Sequence, residues 1–130
     1  MTWGKRRRPF DSPNDKIRRK AENPYWGLKR LYKVYQRNAE TRGRTFFLSI
    51  EDFERLTKMN CAYCDRPPAQ KSGAYLYNGL DRVNTHAGYS LENCKACCWE
   101  CNRMKGSQLS EGEMRAVGQA LKDFRNKNGK

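Results

Sequence analysis

The sequence predicts a small α+β fold with flanking helices and a basic N-terminal arm. Three observations predict it: apolar residues recur at helical spacing on both sides of the middle of the chain, the middle holds a segment rich in aromatic and β-branched residues, and paired cysteines bracket that segment. Only 37% of the 130 residues are hydrophobic, so the core is thin. A structural metal would help such a chain to fold.

Residues 23–60 are a predicted two-helix leading segment. The first helix is expected to begin at Asn23-Pro24, a cap followed by a first-turn proline, and to end at Arg42-Gly43. Its apolar residues recur at helical spacing and are Leu28, Leu31, Tyr32, Tyr35 and Ala39.

A shorter second helix follows "TFFLS" (45–49), which is a short strand or an extended link. Ser49 is expected to cap this helix, with Asp52 in a capping-box position. The predicted buried side of the helix consists of Ile50, Phe53, Leu56 and Met59.

Positive charge is concentrated in the first third of the chain. Residues 1–45 hold 14 Lys and Arg residues against 4 Asp and Glu residues, a net charge of +10, whereas residues 46–110 have 8 against 7, a net charge of +1. This asymmetry indicates a polyanionic partner, and nucleic acid is expected, with DNA favoured and RNA left open. The candidate phosphate-binding residues are Arg6, Arg7 and Arg8 in the basic arm (1–22), and Lys29, Arg30, Lys33 and Arg37 on the first helix, where a solvated face is the alternative.

The sequence gives no sign of membrane insertion or secretion. It has no run of about 18 apolar residues, and its first ten residues lack the apolar segment of a secretory signal. We therefore expect no membrane partner. We also expect an intracellular, reducing compartment, which is the cytoplasm or the cytoplasm of a host cell. A protein assembly that holds the basic arm is kept as a further candidate partner.

Residues 61–108 are the predicted core. After a loop at 65–74, the segment 74–83 is expected to form one strand with a bulge at Asn78-Gly79. A second short strand or turn is expected near "SLEN" (90–93), and a helix opens at "WECNRMKG".

Residues 109–130 are predicted to form a last helix. Ser110 and Glu113 make a capping box at its start. Its expected core stripe is Met114, Val117, Leu121 and Phe124.

Six cysteines form C-x-x-C pairs, a spacing typical of metal ligation. Cys61-x-x-Cys64 and Cys98-x-x-Cys101 are separated by 33 residues, and four thiolates suit a tetrahedral, structural zinc ion. Cys94-x-x-Cys97 is a competing second pair. We favour Cys98 and Cys101 as ligands, which leaves Cys94 and Cys97 as small buried residues.

At these residues the chain resembles the HNH endonucleases, the zinc-containing branch of the ββα-metal (His-Me) finger nucleases. The matching motifs are "CAYC", "GLDRV", "GY", "EN" and "CWECNRMK", over about residues 61–106. The leading part, from "LYKVYQRNAE" to "CAYC", is similar to phage-type and related members of this group. The resemblance implies a zinc-stapled β-hairpin followed by a helix, with a catalytic divalent ion between them.

The resemblance also implies roles for individual residues. Asp81 matches the acid that binds the catalytic ion, Mg²⁺ or Mn²⁺, and Asn102 matches the last metal ligand of the family. Asn93 matches the middle asparagine, whose side-chain carbonyl orients the general base. By analogy the helix from Trp99 would lie near the minor groove of DNA, with Arg103 and Lys105 on phosphates.

Position 82 departs from the family, since Arg82 stands where the family has its base, a histidine. An arginine stays protonated at any ordinary pH and cannot take a proton, although its fork can hold a phosphate. His86, the only histidine of the chain, is one substitute base because histidine titrates near neutral pH. A metal-bound hydroxide or a substrate phosphate oxygen is the second interpretation, with Arg82 as a phosphate clamp. An inactive site kept for binding is the third interpretation.

Two functions from different classes follow. The first is a metal-dependent DNA endonuclease that hydrolyses phosphodiester bonds. The second is a zinc-stapled basic protein that binds DNA or RNA without cutting it, within a ribonucleoprotein or a viral assembly. Asp81, Asn93 and Asn102 favour the enzyme, and the missing histidine favours the binding protein.

Overall fold

The computed structural model of the chain describes residues 13–128, so Arg6, Arg7 and Arg8 of the predicted arm lie outside the described residues. Within that range the chain forms five helices and four short strands. They are α1 (Pro13–Glu22), α2 (Pro24–Thr41), α3 (Ile50–Thr57), β1 (Gln70–Ser72), β2 (Tyr75–Tyr77), β3 (Gly79–Arg82), β4 (Cys94–Cys97), α4 (Trp99–Lys105) and α5 (Glu111–Asn128).

The caps predicted for the two leading helices are confirmed. The Asn23 side chain accepts a hydrogen bond from the backbone N–H of Tyr25 at 3.0 Å, and Pro24 opens α2. Ser49 and Asp52 form a reciprocal capping box at the start of α3. Met59 was expected on the buried side of that helix, which is wrong: α3 ends at Thr57, and the Met59 side chain beyond the end is 52% exposed.

The segment 74–83 is two strands in two different sheets, so the prediction of one bulged strand is wrong. β2 pairs antiparallel with β1, a strand that lies inside the expected loop at 65–74, and β3 pairs with β4. The break is at Asn78, whose buried side chain donates to the carbonyls of Met59 (2.9 Å) and Arg66 (3.1 Å). Its backbone N–H donates to Thr57 O at 2.8 Å. These bonds tie Asn78 to the segment before the hairpins and end one ladder before the next begins.

The interior divides into two apolar clusters. The aromatic cluster lies between α2, α3 and the β3–β4 hairpin. Its Phe53 is fully buried and is contacted edge-on by the rings of Tyr32 and Tyr35. The cysteine cluster lies between the hairpin, α4 and α5, and its buried members are Cys61, Tyr63, Cys64, Cys97, Cys98, Cys101 and Met114. One of the two buried clusters is therefore built largely from cysteine side chains.

Helix α5 closes the cysteine cluster from outside. Ser110 and Glu113 form the predicted capping box, and Met114 is fully buried. At Gly118 a Cβ atom would lie 2.2 Å from the carbonyl oxygen of Tyr63, so glycine is needed for this close approach. Phe124 was expected in the core stripe, but it is 61% exposed because α5 continues beyond the cluster.

Within residues 13–128, no helix combines the length and the apolar character that crossing a bilayer requires.

Candidate active site and metal centre

Four cysteine sulfurs converge at the centre of the cysteine cluster. The sulfurs of Cys61, Cys64, Cys98 and Cys101 all lie within 4.8 Å of one another, and all four residues are buried. Four sulfurs at the usual zinc–sulfur distance from one ion stand about 3.8 Å apart. The Sγ atoms of Cys64 and Cys98 are 3.7 Å apart. The group can hold a metal ion, and its donor set suits zinc.

Local backbone structure places these thiols. The first pair lies in a knuckle closed by hydrogen bonds from Asp65 N to Cys61 O (2.9 Å) and from Cys61 N to Arg66 O (2.8 Å). Cys98 is the N-cap of α4, and its sulfur accepts from the backbone N–H of Cys101 at 3.4 Å. Hydrogen bonds from Cys101, and then from Cys97 and Cys98, lower the pKa of Cys61.

Cys94 and Cys97 stand outside this group of four. Both are buried on β4, and burial raises the pKa of Cys94 to about 11. The structure therefore brings together the four cysteines that the sequence analysis favoured.

Asp81 lies near the end of β3, and the protein itself occupies both of its carboxylate oxygens. The Tyr63 hydroxyl donates to Oδ2 at 2.7 Å, and Nζ of Lys105 lies 3.2 Å from Oδ1. Asp81 is 5% exposed and Lys105 2% exposed. Burial, and next the hydrogen bond to Asp81, raise the pKa of Tyr63. The prediction that Lys105 contacts phosphate is corrected for this conformation, because its ammonium is buried against Asp81.

Asn102 lies on α4, one turn before Lys105. Its Nδ2 atom is 3.4 Å from the carbonyl oxygen of Leu80, the residue next to Asp81 in β3. In the described part of the chain, the side-chain oxygen of Asn102 accepts no hydrogen bond. Asp81 and Asn102, the two predicted ligands of a divalent ion, are therefore brought to the same junction of β3 and α4.

Arg82 closes the loop that follows β3. Successive strand residues point to opposite faces, so Arg82 lies on the other side of the hairpin from Asp81. Its Nη1 atom donates to the carbonyls of Thr85 and Ala87, both at 2.8 Å. Its guanidinium carbon lies 5.3 Å from the centre of the Tyr89 ring. Arg82 thus holds the backbone on either side of His86.

Asn93, the residue before β4, holds the same loop. Its side-chain oxygen accepts from the backbone N–H of Asn84 (2.8 Å), and its amide donates to the carbonyls of Asn84 (3.0 Å) and Gly88 (2.8 Å). The carbonyl expected to orient a base is thus bonded to backbone. His86 is exposed, and its own backbone is fixed by Asn84 Oδ1 (2.9 Å) and by Nη1 of Arg44 (3.4 Å). The loop presents one histidine on a fixed backbone.

Comparisons with known proteins identify the architecture. The computed model resembles a solved structure titled "An extraordinary mechanism of DNA perturbation exhibited by the rare-cutting HNH restriction endonuclease PacI". The two share 23% sequence identity with a TM-score of 0.63, over 78% of this chain and 81% of that one. The chain has an HNH nuclease fold.

Two comparisons of the sequence with known proteins say less about this chain than the structural comparison does. No family model matches the chain. "Uncharacterized protein R423" of Acanthamoeba polyphaga mimivirus is 38% identical over 76 residues, which is 58% of this chain. The matched part is 13% of the length of that protein, so the chain spans about an eighth of it.

The HNH fold carries an exposed row of cations on α2. Arg30, Lys33 and Arg37 are spaced three and four residues apart, which places them on one face of the helix. All three are exposed, and within residues 13–128 none of them forms an ion pair. Lys29 differs, because its ammonium lies over the Trp26 ring at 4.7 Å.

The row extends toward the loop that carries His86. Arg44, just beyond the end of α2, makes the contact with His86 O described above. On α4 the exposed Arg103 lies over the ring of Trp99 at 4.6 Å.

Sequence reasoning missed two side chains of the site. Tyr63, inside the first C-x-x-C pair, donates to Asp81. Arg125 on α5 lies near Cys64, and the Cys64 sulfur raises the pKa of Arg125. The position of Tyr63 between two predicted ligands, Cys61 and Cys64, could have indicated a contact with β3, because the knuckle must face the β3–β4 hairpin. Arg125 carried no signal beyond its place on a helix.

Proposed function

We propose that the chain is a metal-dependent endonuclease of the HNH type that hydrolyses phosphodiester bonds in DNA. The observation that carries the proposal is the placement of Asp81 and Asn102 at the junction of β3 and α4, inside an HNH fold. The solved HNH structure is, by its title, a DNA-cutting enzyme. The exposed cations of α2 supply attraction for a polyanion, which falls steeply with salt.

The residues at the junction suit a Mg²⁺ or Mn²⁺ ion. The Asp81 carboxylate already has a cation, the Lys105 ammonium, at 3.2 Å, and the Asn102 side-chain oxygen is unengaged among the described residues. Hard oxygen ligands of this kind are what magnesium selects. Such an ion would stabilise the charge on the phosphate and on the leaving oxygen.

The residues of the loop would supply the proton transfer. Arg82 cannot accept a proton, and its Nη1 is committed to the backbone around His86. We assign the general base to His86, exposed on a backbone that Arg82, Arg44 and Asn84 hold in place. A positioned base contributes about 10²–10⁴-fold to the rate.

The proposed zinc ion would be structural. Cys61 and Cys64 precede the hairpins, and Cys98 and Cys101 open α4, so a metal on all four would join the elements that carry Asp81 and Asn102. Zinc held by four thiolates has no open coordination position and would take no part in the chemistry.

Cleavage of supercoiled plasmid by zinc-loaded protein with Mg²⁺ or Mn²⁺ tests the proposal. Asn102→Ala removes a proposed ligand without leaving a buried charge unpaired, and we expect it to slow cleavage about a hundredfold. His86→Ala should slow cleavage similarly, with partial rescue by added imidazole. Asn126→Ala, an exposed asparagine on α5, is the matched control and should cut normally.

One observation favours a second candidate, a zinc-stapled protein that binds DNA or RNA without cutting it. The Asp81 carboxylate is buried, and both its oxygens are engaged. Zinc-loaded wild-type protein that shifts DNA or RNA in a gel, yet cuts neither nucleic acid with either metal, would establish this candidate in place of the enzyme.

A further inference from the structure

Lys105 is a buried cation that forms an ion pair with the carboxylate proposed to bind the divalent ion. It is the last residue of α4, and Nζ lies 3.2 Å from Asp81 Oδ1 and 3.5 Å from the carbonyl oxygen of Arg82. The Lys105 carbonyl accepts from the backbone N–H groups of Gln108 (3.1 Å) and Leu109 (3.0 Å), which anchors the main chain. The flexible four-carbon stem is the part that can move.

A divalent ion and the Lys105 ammonium compete for one oxygen. Magnesium binds carboxylate oxygen at about 2.0–2.1 Å and demands near-ideal octahedral geometry. The second oxygen of Asp81 is held by the Tyr63 hydroxyl at 2.7 Å, so Oδ1 is the oxygen that could be released. Two cations on the same buried oxygen would repel each other strongly in a medium of low dielectric constant.

We propose that Lys105 is a built-in competitor that occupies the cation position at Asp81, and that a divalent ion binds there by displacing its ammonium. The inference rests on the proposed function and adds regulation of that site. Because only the fraction of molecules with Lys105 withdrawn can bind metal, the apparent metal affinity is lowered by that fraction. Lys105 lies on α4, the helix that also carries Asn102 and Arg103, so the displaced ammonium stays attached to that helix.

A Mn²⁺ titration without nucleic acid tests the competition. Free Mn²⁺ is followed by electron paramagnetic resonance in zinc-loaded wild type, Lys105→Met and the control Lys58→Met, whose lysine forms an exposed ion pair with Glu54. We expect Lys105→Met to bind Mn²⁺ at least about tenfold more tightly than wild type, and Lys58→Met to match wild type. Equal Mn²⁺ affinity in Lys105→Met and wild type would overturn the proposal.

A second measurement uses the wild-type protein alone, in case Lys105→Met does not fold. The Lys105 amine is labelled with an acetylating reagent, and the rate is read by mass spectrometry with and without saturating Mn²⁺. We expect slow labelling without the metal and labelling several-fold faster with it, while labelling of the exposed Lys58 stays constant. A Lys105 labelling rate that Mn²⁺ leaves unchanged would also overturn the proposal.

These measurements separate the competition from the proposed function. If Mn²⁺ displaces Lys105 but no plasmid is cut, the competitor stands and the endonuclease fails. If the wild type cuts with Mg²⁺ while affinity and labelling are indifferent to Lys105, the endonuclease stands and the competitor fails.

Discussion

The two ends of α4 prepare for a cation in opposite ways. At its start, Cys98 and Cys101 join Cys61 and Cys64 in a group of sulfurs already spaced for an ion. At its end, Lys105 supplies a protein cation to Asp81. Under the proposed function, the structural metal finds its four sulfur ligands already grouped, whereas the carboxylate proposed for a second ion is neutralised by a lysine of the chain itself.

The largest effect should come from disrupting the group of four cysteines at the start of α4. Cys101→Ser, or removal of zinc by a strong chelator, should abolish cooperative folding, because a structural zinc site contributes on the order of 10 kcal/mol to such small domains. Circular dichroism melting and zinc content would measure it. Cys94→Ala, outside the group of four, should keep its zinc and melt cooperatively; loss of zinc there would show that the ligand set is misassigned.

A smaller loss of stability is expected from removing one charge of the Asp81–Lys105 ion pair. Asp81→Asn leaves the Lys105 ammonium buried without its counter-ion, which costs about 3–5 kcal/mol of unfolding free energy. The double variant Asp81→Asn with Lys105→Met removes both charges and should recover much of that loss. Urea unfolding of the two single variants and the double variant measures the coupling, and strictly additive losses would contradict a direct ion pair.

The cations of α2 should affect binding and leave stability unchanged. Replacing Arg30, Lys33 and Arg37 together by glutamine should weaken DNA binding and reduce the slope of log affinity against log salt by up to about 2.7, if each neutralises one phosphate. Gel shift or fluorescence anisotropy over a salt series reports this. An unchanged slope would mean that the row is only a solvated face.

The smallest effect is expected at the outer end of α5. Phe124 is 61% exposed, so Phe124→Ser should change the unfolding free energy by no more than about 0.5 kcal/mol. Met114→Ala on the same helix is the contrast, since full burial predicts a loss of about 2–5 kcal/mol. Similar losses from both substitutions would show that the helix packs differently along its length.

The parts of the fold that depend on neighbouring residues could be predicted from the sequence. Asn23, Ser49 and Ser110 cap their helices because a cap is a bond across two or three residues. The C-x-x-C spacing predicted a metal cluster but left Cys94 and Cys97 as a competing pair, and the small α+β class with the favoured cluster is confirmed.

The parts that depend on distant contacts could not. Asn78 breaks a strand because it bonds to Met59 and Arg66, which the local strand pattern does not show. Lys105, in the polar run "NRMK", resembles a surface lysine until the fold brings it to Asp81, 24 positions away in the sequence. Phe124 repeats the core spacing of α5 past the point where the core ends.

The most direct test of two dissimilar cation sites is a count of bound metals in zinc-purified protein, with Mn²⁺ added in a titration. We predict one zinc per chain that survives dialysis, and one weaker Mn²⁺ that is lost in Asn102→Ala while the zinc stays. Retention of Mn²⁺ in Asn102→Ala, or zinc alone in the wild type at saturating Mn²⁺, would contradict the account.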